Sequence, residues 1–190
     1  MKNLITILSL SILICSCNSG HDHTHDGSGQ EKEVLYDYDV EEKIASMGIE
    51  LVEPSAPVAN YVNAVRTGNL VFMAGKGPNL PEGGYVTGKV GTDLTVEEGY
   101  EAAKLVGAAQ LSALKAEIGD LNKVVRIVKV LGMVNCTSDF GNQPEVINGF
   151  SDTMVEVFGE RGKHARAAVG MGSLPRNIAV EIEMIVEVQE

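Results

Sequence analysis

The end of the chain shows the clearest pattern of hydrophobic and polar positions. Between residues 179 and 188, aliphatic side chains alternate with Glu181, Glu183 and Glu187. Successive side chains of a β-strand point to opposite faces of a sheet, so the carboxylates share one face and the aliphatic groups the other. A shorter extended run at 165–169 carries Arg166 among small residues. This pattern predicts an arginine and a glutamate on adjacent strands, which is typical of a small-molecule site, although a solvated sheet face would show the same alternation.

Three helices are predicted from their capping residues. Each starts at a residue that favours a helix N-terminus and stops at a glycine. The pairs of start and stop residues are Asp39 and Gly48, Thr95 and Gly119, and Pro144 and Gly159. In the second helix Thr95 and Glu98 form a capping box, and the many alanines that follow are typical of a helix that packs closely on a sheet.

Runs rich in β-branched residues predict the remaining strands. They cover residues 61–66, 70–74, 85–90 and 124–134. Residues 67–69, Thr-Gly-Asn, indicate a hairpin between the first two strands. The run at 124–134 is largely apolar on both faces, which predicts an interior strand. The order β-β-β-α-β-α-β-β predicts an α+β fold with both longer helices on one face of a mixed sheet, and the uncovered face predicts a homo-oligomer.

Composition and charge narrow the class of protein. With 190 residues, 44% of them hydrophobic and 22% charged, the chain fits one globular domain with appendages. The formal net charge is −11. Binding to phosphate groups depends on clustered Lys and Arg side chains, so this charge argues against a nucleic-acid partner.

The first 16 residues have the pattern of a signal peptide. A positive start at Lys2 precedes an apolar run at 4–15, which is shorter than the roughly 20 residues that span a bilayer. Residues 14–17, Ile-Cys-Ser-Cys, resemble a bacterial lipobox whose last cysteine, Cys17, receives lipid. We therefore predict an exported lipoprotein of the bacterial cell envelope that meets the membrane only through Cys17. Plain secretion and an uncleaved anchor are the alternatives.

A flexible tether is predicted between the signal peptide and a domain at 35–190. Residues 17–34 are poor in apolar side chains and rich in Gly, Ser and Asp. The tether contains His21, His23 and His25, which either bind a transition metal loosely or form a solvated spacer. Loss of the signal peptide and acylation of Cys17 leave Cys136 alone, which excludes an internal disulfide. Its position after an aliphatic run favours a buried small side chain over a nucleophile.

Several short segments of the domain share the motifs and spacing of one known family. They are Pro57–Val62, Thr67–Leu70, Ala74–Gly75, Arg166–Ala167, Leu174–Pro175 and Val180–Glu183. In these segments the chain resembles the RidA family, also called the YjgF or endoribonuclease L-PSP family, in its longer branch. The resemblance covers residues 52–188 and implies a chorismate-mutase-like fold, a homotrimer and a ligand site in each cleft between subunits.

The resemblance also implies an activity and the residues that perform it. Deaminases of the family hydrolyse reactive enamine or imine acids, such as 2-aminoacrylate, to 2-keto acids and ammonia, without a metal or an organic cofactor. Arg166 would hold the substrate carboxylate, Glu181 would transfer protons, and Tyr61 would order water or act as an aromatic lid. Further substrate-binding positions implied by the resemblance are Gly75, Ala168 and Asn148.

Two departures from the family pattern bear on activity. Ala168 stands where many of the deaminases have a cysteine, and Lys76 stands where a glutamine is common. A non-catalytic binder of small carboxylates in the cell envelope is therefore the main alternative function, and an isomerase of the chorismate mutase type is a third. Ribonuclease activity fits worst, because the chain is acidic and lacks a basic stripe. His164 is predicted to be structural or at the cleft rim, with a catalytic role as the alternative.

Overall fold

Five strands form one sheet in the part of the chain that the computed structural model describes, which is residues 33–54 and 59–189. The strands are β1 (Ala64–Thr67), β2 (Leu70–Lys76), β3 (Val124–Asn135), β4 (Ala165–Met171) and β5 (Val180–Val188). Their spatial order is β1-β2-β5-β3-β4, and every pair is antiparallel except β3 and β4. All these elements lie in one unit, Val34–Glu190. The predicted signal peptide, Cys17 and the histidines of the tether lie outside the described residues, so those assignments stay predictions.

Three α-helices accompany the sheet in the described residues. They are α1 (Val40–Ser46), α2 (Val96–Ile118) and α3 (Gln143–Phe158). The helices α1 and α2 begin at their predicted caps, and α3 begins one residue before the predicted start at Pro144. The Asp39 side chain accepts from the N–H of Glu42 at 2.8 Å, and Thr95 and Glu98 form both bonds of the capping box. Gly119 ends α2 in a left-handed conformation with φ of 78°. These caps satisfy backbone groups that the helix cannot pair internally.

The two longer helices cover one face of the sheet, as predicted. On β5, Val180, Ile182, Met184 and Val186 are each at most 2% exposed and belong to the core. The glutamates of the same strand point to the other face, which we call the open face. The alternation along β5 therefore assigns its two faces correctly.

Residues 85–90 do not form a strand, and this prediction is wrong. They form only isolated bridges, from Tyr85 to Asn79, from Thr87 to Ile178, and from Val90 to both Leu94 and Cys136. Gly88 and the nearby Gly91 have φ of 120° and 96°, which breaks an extended run. Val90 is fully buried, so the apolar pattern reflects a loop that packs on the core.

A second correction concerns the sheet order. The sequence predicted that the strands carrying Arg166 and Glu181 are neighbours, but β3 lies between β4 and β5. The connection from β3 through α3 to β4 is a β-α-β crossover, which places β4 parallel to β3 at the sheet edge. The last strand then pairs with the opposite side of β3, next to β2.

The first strand is also shorter than predicted, since it begins at Ala64 rather than at residue 61. Cys136 is 3% exposed and not in a disulfide, in agreement with the prediction of a buried thiol. Among the described residues, the helices are too short or too polar to cross a membrane.

Candidate functional site

Arg166 lies on the helix side of the edge strand β4, against α3. Its Nη1 donates to Asn148 Oδ1 and to Ser151 Oγ, both at 2.9 Å, and its Nη2 reaches the carbonyl of Pro144 at 3.4 Å. Asn148 and Ser151 lie one helical turn apart, so they present adjacent acceptors on one face of α3. The two hydrogens of Nη1 are therefore both used by the protein, while Nη2 and Nε form the edge of the guanidinium with capacity for another acceptor.

Ser151 connects Arg166 to a histidine. The Oγ of Ser151 lies 3.0 Å from Nε2 of His164, and Nδ1 of His164 lies 2.7 Å from the carbonyl oxygen of Gly162. A carbonyl oxygen only accepts, so Nδ1 carries a hydrogen and Nε2 of the neutral ring accepts from the serine hydroxyl. Burial lowers the pKa of His164 from its ordinary value of 6.5, the bond to the Gly162 carbonyl opposes this shift, and the charge of Arg166 adds to it. The net lowering favours the neutral form.

Glu181 lies at the start of β5 on the open face, directly over β2. A Cβ at Gly75 would lie 2.3 Å from Glu181 Oε1, so only glycine at this position allows the carboxyl group to approach the β2 backbone. Burial raises the pKa of Glu181, and the neighbouring charge of Glu183 raises it further. A carboxyl group in this environment holds a proton more readily than a solvated one.

The backbone next to Glu181 is shaped by a bulge in β2. The register between β2 and β5 shifts between Met73 and Lys76. Gln110 of α2 is fully buried, and its Nε2 donates to the carbonyls of Ala74 at 2.9 Å and Ile182 at 2.7 Å. These two bonds satisfy carbonyl oxygens on both sides of the bulge, and they hold Gly75 in place under Glu181.

Lys76 follows Gly75 and points its ammonium group at a neutral partner. Its Nζ donates to Asn63 Oδ1 at 2.5 Å, and burial lowers the pKa of the lysine. Lys76, one of the two departures from the family pattern, is thus held against the segment that precedes β1.

Arg166 and Glu181 lie on opposite faces of the sheet within one chain. Arg166 pairs in register with Val130, which pairs with the buried Met184. Glu181 pairs with Met133, which in turn pairs with Val169 on β4. Since these two rows are three positions apart along β3, they face opposite sides. The predicted juxtaposition of arginine and glutamate therefore does not occur within the chain.

The other predicted positions divide between these two regions. Asn148 contacts Arg166, and Ala168 shares its face of β4, two residues further on. Gly75 belongs to the region of Glu181. Tyr61 lies in the segment before β1, where its side chain is 53% exposed.

Sequence reasoning missed two residues of this region, Ser151 and Gln110. The spacing of Ser151, three residues after Asn148 on a predicted helix, could have placed it near Arg166. Gln110 is a polar residue on the apolar side of an alanine-rich helix, a signal that was present but not used. In the described part of the chain no group of three or more His, Cys, Asp or Glu side chains is arranged to hold a metal ion.

The fold and this site define the class of protein, and comparisons with known proteins agree. A family model described as "YjgF/chorismate mutase-like, putative endoribonuclease" matches residues 41–188. Protein TCP17 of Trypanosoma cruzi is 41% identical over 149 residues, which cover 78% of this chain and 93% of the relative. A crystal structure of the Agrobacterium tumefaciens protein Atu1372, whose function is unknown, has a TM-score of 0.72 and 41% identity, covering 80% of this chain and 94% of that one.

A further relative carries the name of an enzyme. The 2-iminobutanoate/2-iminopropanoate deaminase of Dermatophagoides farinae is 29% identical over 134 residues, which cover 70% of this chain and 89% of the relative. The structure is an α+β protein with the chorismate-mutase-like fold. The chain belongs to the YjgF/RutC/RidA family.

Proposed function

We propose that this protein is a deaminase that hydrolyses small 2-imino acids and their enamines to 2-keto acids and ammonia. The observation that carries the proposal is the arrangement of Arg166, whose Nη1 is fully engaged by Asn148 and Ser151. A guanidinium fixed in this way presents its remaining edge in one orientation. The relative named as a 2-iminobutanoate/2-iminopropanoate deaminase supports the same class of substrate.

The substrate carboxylate would bind to the Nη2 and Nε edge of Arg166. Two parallel N–H···O bonds fix both the position and the orientation of a carboxylate, which a lysine in the same place would not do. Ala168, two residues along β4 on the same face, carries only a methyl side chain. In this arrangement the imine carbon is held at a fixed distance from the Arg166 guanidinium.

Glu181 would transfer the protons of the hydrolysis. The carboxylate accepts a proton from water as the water oxygen bonds to the imine carbon, and the C=N electron pair moves to nitrogen. The nitrogen takes this proton from Glu181, which gives the neutral carbinolamine. The carbinolamine hydroxyl then gives its proton to the Glu181 carboxylate as the C=O bond forms and the C–N bond breaks, and the departing nitrogen takes that proton from Glu181 and leaves as ammonia. The raised pKa of Glu181 suits both directions of transfer, because such a group takes up a proton more readily than a solvated carboxylate and can give it back. We assign Tyr61 and Gly75 to the lining of the same cleft.

The complete site would be shared between two copies of the chain in a homotrimer. One copy supplies Arg166 from its sheet edge, and the next supplies Glu181 from its open face. The open face exposes Val65 by 56% and Phe72 by 43%, and a shallow cavity of about 280 Å³ opens on it beside Phe72 and Ile185. A second copy is the occupant that would bury this apolar surface and complete the site at once.

The experiment that tests this function compares imine hydrolysis by three variants. The substrate, 2-iminobutanoate, is generated in situ by an amino-acid oxidase, and its decay is followed by trapping the remaining imine. We expect Arg166→Ala to abolish the enzymatic rate, because the carboxylate loses its anchor. We expect Glu181→Gln to lower kcat at least a hundredfold while the affinity for 2-oxobutanoate changes little. Arg66→Ala is the matched control, since Arg66 is exposed on β1 and bonds to Gly68 and Gln189 carbonyls.

The same variants distinguish the deaminase from the alternative, a non-catalytic carboxylate-binding protein. It is favoured by Lys76, which occupies the position of a common family glutamine and is bonded to Asn63. Binding of 2-oxobutanoate that depends on Arg166, without any acceleration of imine decay by the unaltered protein, would establish the binder and exclude the deaminase. Binding of 2-oxobutanoate and rates of imine decay that are both equal in the unaltered protein and Arg166→Ala would exclude both.

A further inference from the structure

A chain of hydrogen bonds runs behind Arg166, on the side away from the proposed ligand. It links Arg166 Nη1 to Ser151 Oγ at 2.9 Å, Ser151 Oγ to His164 Nε2 at 3.0 Å, and His164 Nδ1 to the Gly162 carbonyl at 2.7 Å. We call these four groups the Arg166 relay. The relay joins α3, the turn after α3 and β4, so it spans the elements that flank the arginine.

We propose that His164 is a positioning residue that orients the Arg166 guanidinium for a substrate carboxylate through the hydroxyl of Ser151. This inference rests on the proposed function and adds a residue to it. His164 does not touch the substrate in this arrangement. Its contribution is the direction in which the serine hydroxyl points.

The physical basis is the freedom of a serine hydroxyl to rotate. Its hydrogen can point in several directions, and a lone pair faces Arg166 only when the hydrogen points elsewhere. Nε2 of His164 accepts a hydrogen bond from this hydroxyl, and the oxygen lone pairs of Ser151 then face Nη1. The bond from Nδ1 to the Gly162 carbonyl fixes the imidazole ring itself. Bonds in such a chain also polarise and strengthen one another.

The charges around His164 keep its Nε2 an acceptor. From β4 it faces the cation Arg166, and from α3 it faces the uncharged Ser151 and the ring of Phe150, at 6.4 Å between centroids. Burial and Arg166 both disfavour the imidazolium, in accord with the neutral tautomer that the relay needs.

Other charged groups on the neighbouring elements are engaged elsewhere. Lys163 pairs with Glu160 at 2.7 Å on the turn after α3. Asp152 of α3 accepts from the Tyr100 hydroxyl at 3.0 Å. Lys129 of β3 pairs in register with Ala165 and so lies on the open face, opposite the relay. Arg166 is thus the dominant charge that His164 faces.

Four variants of the full chain test the relay: His164→Leu, His164→Gln, Ser151→Ala and the double variant Ser151→Ala with His164→Leu. The measurements are the dissociation constant for 2-oxobutanoate, and KM and kcat for 2-iminobutanoate. We expect His164→Leu and Ser151→Ala each to raise the dissociation constant and KM about fivefold to twentyfold with a smaller change in kcat. The double variant should match Ser151→Ala alone, because His164 acts only through Ser151. His164→Gln should recover most of the loss, since its Oε1 can accept from the hydroxyl.

A ligand-free readout separates this inference from the proposed function. Slow rotation about the Cζ–Nη1 bond of Arg166, measured by ¹⁵N NMR, reports how firmly the guanidinium is held. We expect faster rotation in His164→Leu and Ser151→Ala, and unchanged rotation in the control Ser112→Ala, whose hydroxyl bonds to Ala108 and Val52 of the backbone instead.

If the unaltered protein neither binds 2-oxobutanoate nor hydrolyses imine, the proposed function fails, and with it the role in substrate positioning. If the unaltered protein is active but His164→Leu leaves affinity and rotation unchanged, the inference fails and the function stands. Losses that add in the double variant also overturn it, because they would mean that His164 acts independently of Ser151.

Discussion

The surroundings of His164 make the stability of the folded protein depend on pH. The ring is half-buried between α3 and β4, with one nitrogen bonded to Ser151 and the other to the Gly162 carbonyl. Its pKa in the folded protein is lowered from 6.5 by burial and by Arg166. The unfolded chain therefore binds more protons at this residue than the folded chain does in the window just below pH 6.5.

Stability should rise with pH through that window because of this one residue. The contribution is complete above pH 6.5 and is lost as the pH falls toward the lowered pKa of the folded state. The glutamine of His164→Gln does not titrate. We therefore expect the Tm of the unaltered protein to fall more than that of the variant when the pH is lowered from 7.5 to 5. The three histidines of the tether are present in both proteins and cancel in the comparison. Parallel curves of Tm against pH would contradict the expectation.

At the scale of the elements, the sequence predicted helix caps better than it predicted strands and their pairing. The caps at Asp39 and Thr95 were predicted correctly, because a cap depends on a few consecutive residues. The strand predicted at 85–90 was wrong, because its apolar residues reflect contacts with distant parts of the chain. The bridge from Val90 to Cys136 and the bond from Lys89 Nζ to Asn135 Oδ1 at 3.1 Å are examples of such contacts.

Gly149 lies where α3 comes close to the backbone of α2. A Cβ there would lie 2.1 Å from the carbonyl oxygen of Tyr100, which is backbone and cannot move aside cheaply. Alanine normally gains about 1 kcal/mol over glycine inside a helix, but overpacking of this kind costs about 1–3 kcal/mol or more. The clash should therefore decide the sign of the change.

We expect Gly149→Ala to lower the free energy of unfolding by up to about 2 kcal/mol in urea titrations, which is the overpacking cost less the helix gain of alanine. Gly141→Ala is the matched control, since nothing lies within 4 Å of its added Cβ and its φ is not positive. That variant should be neutral or slightly more stable. A stabilised Gly149→Ala would mean that the two helices have room to separate.

At the scale of the whole molecule, the sequence predicted the face on which Glu181 lies but not the order of the strands around it. Alternation along β5 assigned Glu181 to the face opposite the core. The family resemblance gave Asn148 as a substrate-binding position, and the structure places its Oδ1 2.9 Å from Nη1 of Arg166. Alternation within a strand carries no information on which strand lies beside it. The insertion of β3 between β4 and β5 could therefore not be predicted from these patterns, and it separates Arg166 from Glu181.

Because Arg166 and Glu181 are separated within one chain, a site shared between two subunits leads to a prediction that a site within one subunit does not. If Arg166 of one subunit works with Glu181 of the next, two inactive variants can complement each other. Arg166→Ala subunits retain Glu181, and Glu181→Gln subunits retain Arg166, so a mixed homotrimer can assemble sites with both native residues.

Equal amounts of the two variants, unfolded together and refolded, should therefore regain activity. Each site draws its arginine and its glutamate from different subunits at random, so about one quarter of the sites would be complete. We expect imine hydrolysis at about a quarter of the rate of the unaltered protein treated in the same way, and near zero for each variant refolded alone. Sedimentation should give about three times the single-chain mass in all samples, which shows that assembly itself is unchanged. A mixture as inactive as its parts, with that mass intact, would place both residues' function within one subunit and contradict the shared site.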